Sequence, residues 1–218
     1  MKRFATCAAA ALLLSAAPAA AATLVNGSMT GTPSNAAVPS GWTILEETPD
    51  TSDVTGAAGG LAPYVVTPLG PSPDGGTFVG IARGENGFSE SFGQSIVDFV
   101  VGETYELSWY AGNFGASSGT VYDGTNAVEV LLDGALVGTG ADVTLGRAWT
   151  SQAITFTATA GTHLLAFALR DAVNSYIQID GVALTVAGDP GPSDVPLPAA
   201  APLLLLGLGG LAALRRKG

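Results

Sequence analysis

Cysteine, histidine and positive charge are all scarce in this 218-residue chain, and each scarcity removes a class of function. Cys7 is the only thiol. It has no partner within the chain, so an intramolecular disulfide framework, an iron–sulfur cluster and a cysteine-based zinc site are all excluded. His163 is the only histidine, which removes the usual imidazole metal centres. Of eight Lys and Arg residues, five lie at the two ends, and only Arg83, Arg147 and Arg170 stand among 18 Asp and Glu. That middle carries a net charge of −15 and no basic patch. A field of this sign repels phosphate backbones, so no nucleic-acid partner is expected. Helical signal is missing as well: no stretch of the middle joins a cap to an apolar period of 3.6 residues.

What the middle does contain is β-pattern. The 166 residues from Thr23 to Gly188 are enough to bury a core without disulfides. Along Thr104 to Ala111, Tyr105, Leu107 and Trp109 alternate with polar residues, as a half-buried strand requires. Val128, Val130 and Leu132 share a second face, and Asp133-Gly134 supplies a tight hairpin turn into Ala135 to Gly138. Ala153 to Ala158 and His163 to Arg170 follow. Upstream, Gly41 to Leu45, Thr77 to Ala82 and Phe88 to Ile96 read as strands. Nine or ten short strands joined by Gly-rich turns predict an all-β antiparallel two-sheet sandwich, with jelly roll the favoured topology. The expected core holds Tyr105, Leu107, Trp109, Val128, Val130, Ile154, Phe156, Leu165 and Phe167. In the last strand Ile177 and Ile179 have one parity and Val182, Leu184 and Val186 the other, so a β-bulge is expected at Asp180-Gly181.

Both ends read as addresses. Residues 1–22 have a signal-peptide pattern: Lys2-Arg3, an apolar Ala/Leu run, then Ala20-Ala21-Ala22 as a small-residue cleavage site. Cys7 precedes the apolar run, unlike a lipoprotein cysteine, so the mature chain lacks cysteine. Residues 189–194 form a short linker to the other end. There, Val195-Pro196-Leu197-Pro198-Ala199 leads into an apolar span that reaches Leu214, followed by Arg215-Arg216-Lys217. The span 199–214 would measure ~24 Å as a helix, short of a ~30 Å hydrocarbon core, which makes it a marginal transmembrane helix. The basic cluster stays cytoplasmic by the positive-inside rule, placing the acidic domain on the far side of the inner membrane.

Motif, apolar span and basic cluster together resemble the VPLPA variant of the PEP-CTERM sorting tail, found on exported proteins of Gram-negative bacteria. Leu197 stands where the founding motif has Glu. The resemblance implies the secretion machinery and an exosortase as partners, transient anchoring in the inner membrane, and delivery to the cell surface or extracellular matrix. An ordinary uncleaved anchor is the competing reading of the same hydropathy.

The domain itself resembles galactose-binding-like jelly rolls at Leu24 to Ser28, Gly41-Trp42, GETYELSWYAGN (102–113) and YIQIDGVALT (176–185). That resemblance implies carbohydrate binding and a structural calcium near where the first and last strands meet. Asp180 would be its main ligand, with Asn26 and Thr30 as oxygen donors, although Met29-Thr30 and Gly181 replace acids of the family pattern. Asp50, Asp53 and Asp74 are alternative calcium or turn residues. Asn26-Gly27-Ser28 reads as a turn.

For ligand contact the residues themselves point to the loop GNFGASSGTVYDGTN (112–126), where Phe114 and Tyr122 offer stacking faces and Asn113, Asp123 and Asn126 offer polar groups. Anchoring of that loop to the sandwich is the alternative role for both aromatics. Gly115 to Gly119 matches a G-x-S-x-G elbow with Asp142 and His163 downstream, but no helix follows it, and His163 is expected on the rim. Glu103, Glu106, Glu129 and Asp133 do not define a cleft by sequence. A non-catalytic glycan-binding or adhesion module of the surface or matrix is therefore expected. A structural component without a defined ligand is the alternative, and a glycan-active hydrolase the remaining class.

Intact-mass measurement of the surface or matrix form is expected to find the residues beyond about Ala199 missing. Recovery of full-length chain in the inner membrane, with Arg215 to Lys217 attached, would instead identify an uncleaved anchor.

Overall fold

A computed structural model describes residues 22–54 and 70–188. The expected signal peptide apart from Ala22, the linker 189–194 and the tail 195–218 lie outside the described residues, as does 55–69. Twelve strands are described: β1 (Thr43–Glu46), β2 (Asp50–Ser52), β3 (Phe78–Arg83), β4 (Ser91–Ile96), β5 (Thr104–Gly112), β6 (Ala116–Ser118), β7 (Thr120–Tyr122), β8 (Val128–Leu132), β9 (Ala135–Thr139), β10 (Thr150–Thr157), β11 (His163–Leu169) and β12 (Ser175–Val186). No described residue is helical.

Their pairing is nested. β8 pairs with β9, β5 with β10, β4 with β11 and β3 with β12, all antiparallel. The eight strands therefore form one long ribbon doubled back at the Asp133-Gly134 turn. Both turn residues have positive φ, 51° and 81°, as the predicted tight hairpin demands. Rolling the ribbon up gives the orders β10-β5-β12-β3 and β4-β11-β8-β9. That is the expected jelly roll. β2 extends the first sheet beside β3 and β1 the second beside β4, while β6 and β7 form a separate hairpin.

The core lies between the two sheets and is aromatic at its centre. Phe167 stacks on Phe92 with ring centroids 5.4 Å apart, and the edges of Trp42 and Trp109 complete the cluster at 5.3 Å from Phe92 and 5.8 Å from Phe167. Tyr105, Leu107, Trp109, Val128, Val130, Phe156, Leu165 and Phe167 are buried as expected. Ile154 is the exception, half-buried against the cluster because β10 is a sheet edge.

The bulge falls where parity required it. The β12–β5 register shifts between Asp180 and Ala183, and Gly181 takes φ +57°. Ile177, Ile179 and Val182 thereby all reach the core. Sequence periodicity does not mark β2, β6 and β7, each only three residues long, so the expected nine or ten strands become twelve among the described residues.

Trp109 is 1% exposed at the heart of this packing. Trp109→Ala is expected to lower unfolding free energy by about 3–5 kcal/mol in denaturant titration. A loss below about 1 kcal/mol would contradict the packing described.

Candidate functional site

The outer face of the β12–β3–β2 side of the first sheet ends in a cleft of about 360 Å³. Tyr176 of β12, Ala82 of β3, Asp50 of β2 and Glu90, just before β4, form its floor; Phe88 and Tyr122 stand at its wall. Local backbone explains the placement. The β3–β4 connection closes through Gly84 N–H to Phe88 O at 2.9 Å, with Gly87 at φ +88°, which turns Glu90 back over Ala82. The Glu90 N–H donates to Ala82 O, and the Ala82 N–H donates to Glu90 Oε2 at 2.6 Å. Thr48 Oγ1 donates to the other oxygen, Oε1, at 3.0 Å. Asp50 accepts from Ala36 N–H at 2.8 Å and from the Tyr176 hydroxyl at 3.0 Å. That reach depends on Gly80. A β-carbon there would stand 2.2 Å from the Tyr176 hydroxyl.

Electrostatically the cleft is a buried acid pair. Glu90 is pushed up to about 7, first by burial and further by the charges of Asp50 and Glu47, against the pull of the Ala82 N–H and the Thr48 hydroxyl. Burial also raises Asp50, opposed by Ala36 and Tyr176. Tyr176 is held well above its ordinary value by burial and by both carboxylates, so its hydroxyl stays protonated. Among the described residues no Lys, Arg or His lines this cleft.

The loop singled out in the sequence divides between fold and cleft. Asn113 is buried and spends its carboxamide internally, donating to Gly124 O and Val143 O at 3.1 Å each and accepting from Gly115 N–H. Asn126 is buried too, donating to Asp171 O and Ser175 Oγ at 2.8 Å and accepting from the N–H groups of Ala127 and Asp171. Phe114 packs edge-on to Phe78 and Trp149, and its N–H donates to Gln178 Oε1 at 2.9 Å. These three residues are corrected from ligand contacts to braces, because their polar atoms or faces are already occupied. Asp123 is exposed and outside the cleft lining. Tyr122 alone of the expected set lines the cleft, 6.5 Å from Phe88 between ring centroids. Glu90, Tyr176 and Phe88 were missed, and Asp50 had been read as a turn or calcium residue. Only their clustering in space marks them.

Of the expected calcium ligands, Asn26 and Thr30 are engaged with each other. Asn26 donates to Thr30 O and Ser40 O and accepts from Thr30 N–H, so its carboxamide closes its own turn. Thr30 is exposed and meets Asn26 through its backbone. Asp180 does differ: it is fully buried and neither carboxylate oxygen makes a well-formed hydrogen bond. Burial pushes it up to about 7, and Asp74 adds to that, while Ser72 and the Gly181 N–H lie near enough to pull the other way without offsetting it. Calcium takes six to eight oxygens. Among the described residues no three acidic, histidine or cysteine side chains gather to supply them. Asp180 is thus the one expected ligand whose oxygens are left without a well-formed hydrogen bond, while Asn26 and Thr30 spend their groups on their own turn.

The elbow motif forms no catalytic constellation. Ala116–Ser118 is one strand of the β6–β7 hairpin, Asp142 pairs with Arg170 at 2.8 Å, and His163 pairs with Asp133 at 2.6 Å. His163 is buried, not on the rim as expected; its Nε2 faces the N–H groups of Thr159 and Ala160 at 3.2 and 3.1 Å. Accepting there leaves Nδ1 as the protonated nitrogen, donating to Asp133.

A carboxyl whose pKa is higher in the folded than in the unfolded chain favours folding while protonated. Glu90 and Asp180 therefore cost stability as pH rises from the ordinary carboxylate range through about 7. The loss is on the order of 3 kcal/mol for each. In chelator-containing buffer the melting temperature is expected to fall from pH 5 to pH 8. Glu90→Gln and Asp180→Asn should each raise it at pH 8, with the gain shrinking toward pH 5. A flat profile between pH 5 and 8 would show both groups ionised in the fold throughout.

Comparison with known proteins gives structural neighbours alone. No family model matches the chain, and no curated protein does. The fold is similar to the enzymatically active domain of tailspike protein 4 of bacteriophage CBA120, at 17% identity over 67% of this chain, TM-score 0.44. It is similar to the CBM22-1 xylan-binding domain from Paenibacillus barcinonensis Xyn10C, at 15% identity over 67% of this chain and 85% of that one, TM-score 0.43. A third neighbour is the carbohydrate-binding module CBM36 in complex with calcium and xylotriose, at 18% identity over 52% of this chain and 83% of that one, TM-score 0.38. The chain spans 19% of the tailspike chain.

Proposed function

We propose that residues 23–188 form a non-catalytic carbohydrate-binding module, exported and sorted by an exosortase through the 195–218 tail, and that the cleft beside Tyr122 holds the sugar. One observation carries this reading: aromatic faces and hydrogen-bonding groups converge on one concave site, with Phe88 and Tyr122 on the wall and Asp50, Glu90 and Tyr176 on the floor. Sugars present apolar CH faces edged by hydroxyls, and such a mixed lining matches both. Each carboxylate oxygen keeps a second lone pair for a ligand hydroxyl.

A glycan array followed by calorimetry tests the proposal. Tyr122→Ala is expected to weaken saccharide binding by about 1–3 kcal/mol through lost stacking area, with the melting temperature nearly unchanged. A large drop in melting temperature would assign Tyr122 to loop anchoring. Binding to no glycan would leave a structural surface component, and saccharide turnover abolished by Glu90→Gln would overturn the non-catalytic reading.

A further inference from the structure

We infer that the cleft selects a sugar carrying a free, protonated amine, and that Asp50 and Glu90 together are its ammonium site. The inference rests on the cleft being a glycan site and names the class of sugar. It starts from a charge imbalance inside a cavity. Glu90 is 3% exposed and Asp50 half-buried, and each is held by dipoles alone: two backbone N–H groups and the hydroxyls of Thr48 and Tyr176. Buried charges are ordinarily matched by a charge of opposite sign. The ion pairs found among the described residues lie elsewhere, Arg170 with Asp142 and Asp171, while His163 donates to Asp133. Arg83, on the strand that lines the floor, sends Nη1 away to Leu169 O at 2.7 Å. Glu47, the further charged group acting on Glu90, is of the same sign.

Glu90 meets this imbalance by holding its proton up to about pH 7, and a cation brought by a ligand would meet it with both acids ionised; the cleft shapes what can bring that cation. An ammonium offers three donors as well as a unit charge, and the four carboxylate oxygens retain lone pairs for them. A bare divalent ion fits less well, because the two carboxyls supply at most four of the six to eight oxygens that calcium takes and the space is far larger than an ion. At about 360 Å³ it suits a sugar residue. Phe88 and Tyr122 supply faces for the ring's CH groups and for the cation. N-acetylation removes the charge and adds bulk, so a neutral or acetylated sugar would satisfy the walls and leave the floor uncompensated.

The purified protein would be titrated calorimetrically at low ionic strength and pH 7 with de-N-acetylated trisaccharides of glucosamine and galactosamine, with their N-acetylated forms and with the neutral hexose trisaccharides. At least one amino trisaccharide is expected to bind about tenfold or more tightly than its acetylated and neutral counterparts, a preference that falls with added salt. Glu90→Gln and Asp50→Asn should each abolish that preference. Both substitutions are isosteric: the new carbonyl still accepts from Ala82 or Ala36, and the new amide faces Thr48 or Tyr176. Melting temperatures not below wild type would show that the fold survives. Equal affinity for amino and neutral sugars, or a preference that outlasts both substitutions, would overturn this inference while leaving the glycan site intact. Absence of binding by every saccharide would overturn the glycan reading and this inference with it. Calcium binding lost in Glu90→Gln, without any preference for an amine, would replace the ammonium site by a metal site.

Discussion

The change of phase in β12 is the constraint on which the other features rest. This strand runs through the middle of the first sheet, paired on both sides, and must bury side chains from Ile177 to Val182. A regular strand would turn Val182 outward. The bulge at Asp180-Gly181 absorbs the extra residue, with Gly181 in the left-handed region where a β-carbon would also press on Tyr110 at 2.7 Å. Once the inner parity is set, so is the outer one. Tyr176, Gln178 and Asp180 necessarily point away from the core, and each governs a different part of that face.

Gln178 fixes the loop after β5 by accepting the Phe114 N–H, which brings Phe114 onto Phe78 and carries the β6–β7 hairpin over the sheet. Tyr176 reaches Asp50 across Gly80 and makes the floor of the cleft. Asp180 is left buried without well-formed hydrogen bonds. A single strand thus supplies loop anchor, site floor and a destabilising carboxyl in successive outward positions. The hydrophobic core has to offset the last of these, which is possible because its aromatic cluster is large and continuous.

Much of the fold was legible because its signals are local. Alternation marked β5 and β8, the Asp-Gly pair marked the hairpin at the centre of the ribbon, and the parity clash at Ile179 and Val182 located the bulge. The site was less legible because its members lie far apart in the chain, from Asp50 to Tyr176, and none carries a distinguishing spacing. Asn113 and Asn126 have the composition of a ligand loop, but composition does not reveal whether an amide faces solvent or a backbone carbonyl. Tyr122 was picked out by the same loop composition that picked out Phe114, and only the fold separates the ring that lines the cleft from the one that packs on Phe78. Ser-rich β6 and polar β2 escaped because three residues are too few to establish a period.

The nesting of the ribbon also dictates when the molecule can close. Ile81 pairs with Ile177 and Phe92 with Phe167, so the two outer pairings of the ribbon join residues 96 and 75 positions apart. Contacts of such separation carry a high loop-closure cost and make folding slow. A chain emerging from its N-terminus can form the inner β8–β9 hairpin early, yet β3 and β5 lack the strand that belongs between them until β12 has followed. Vectorial emergence therefore holds the domain open and threadable until almost its whole length is out.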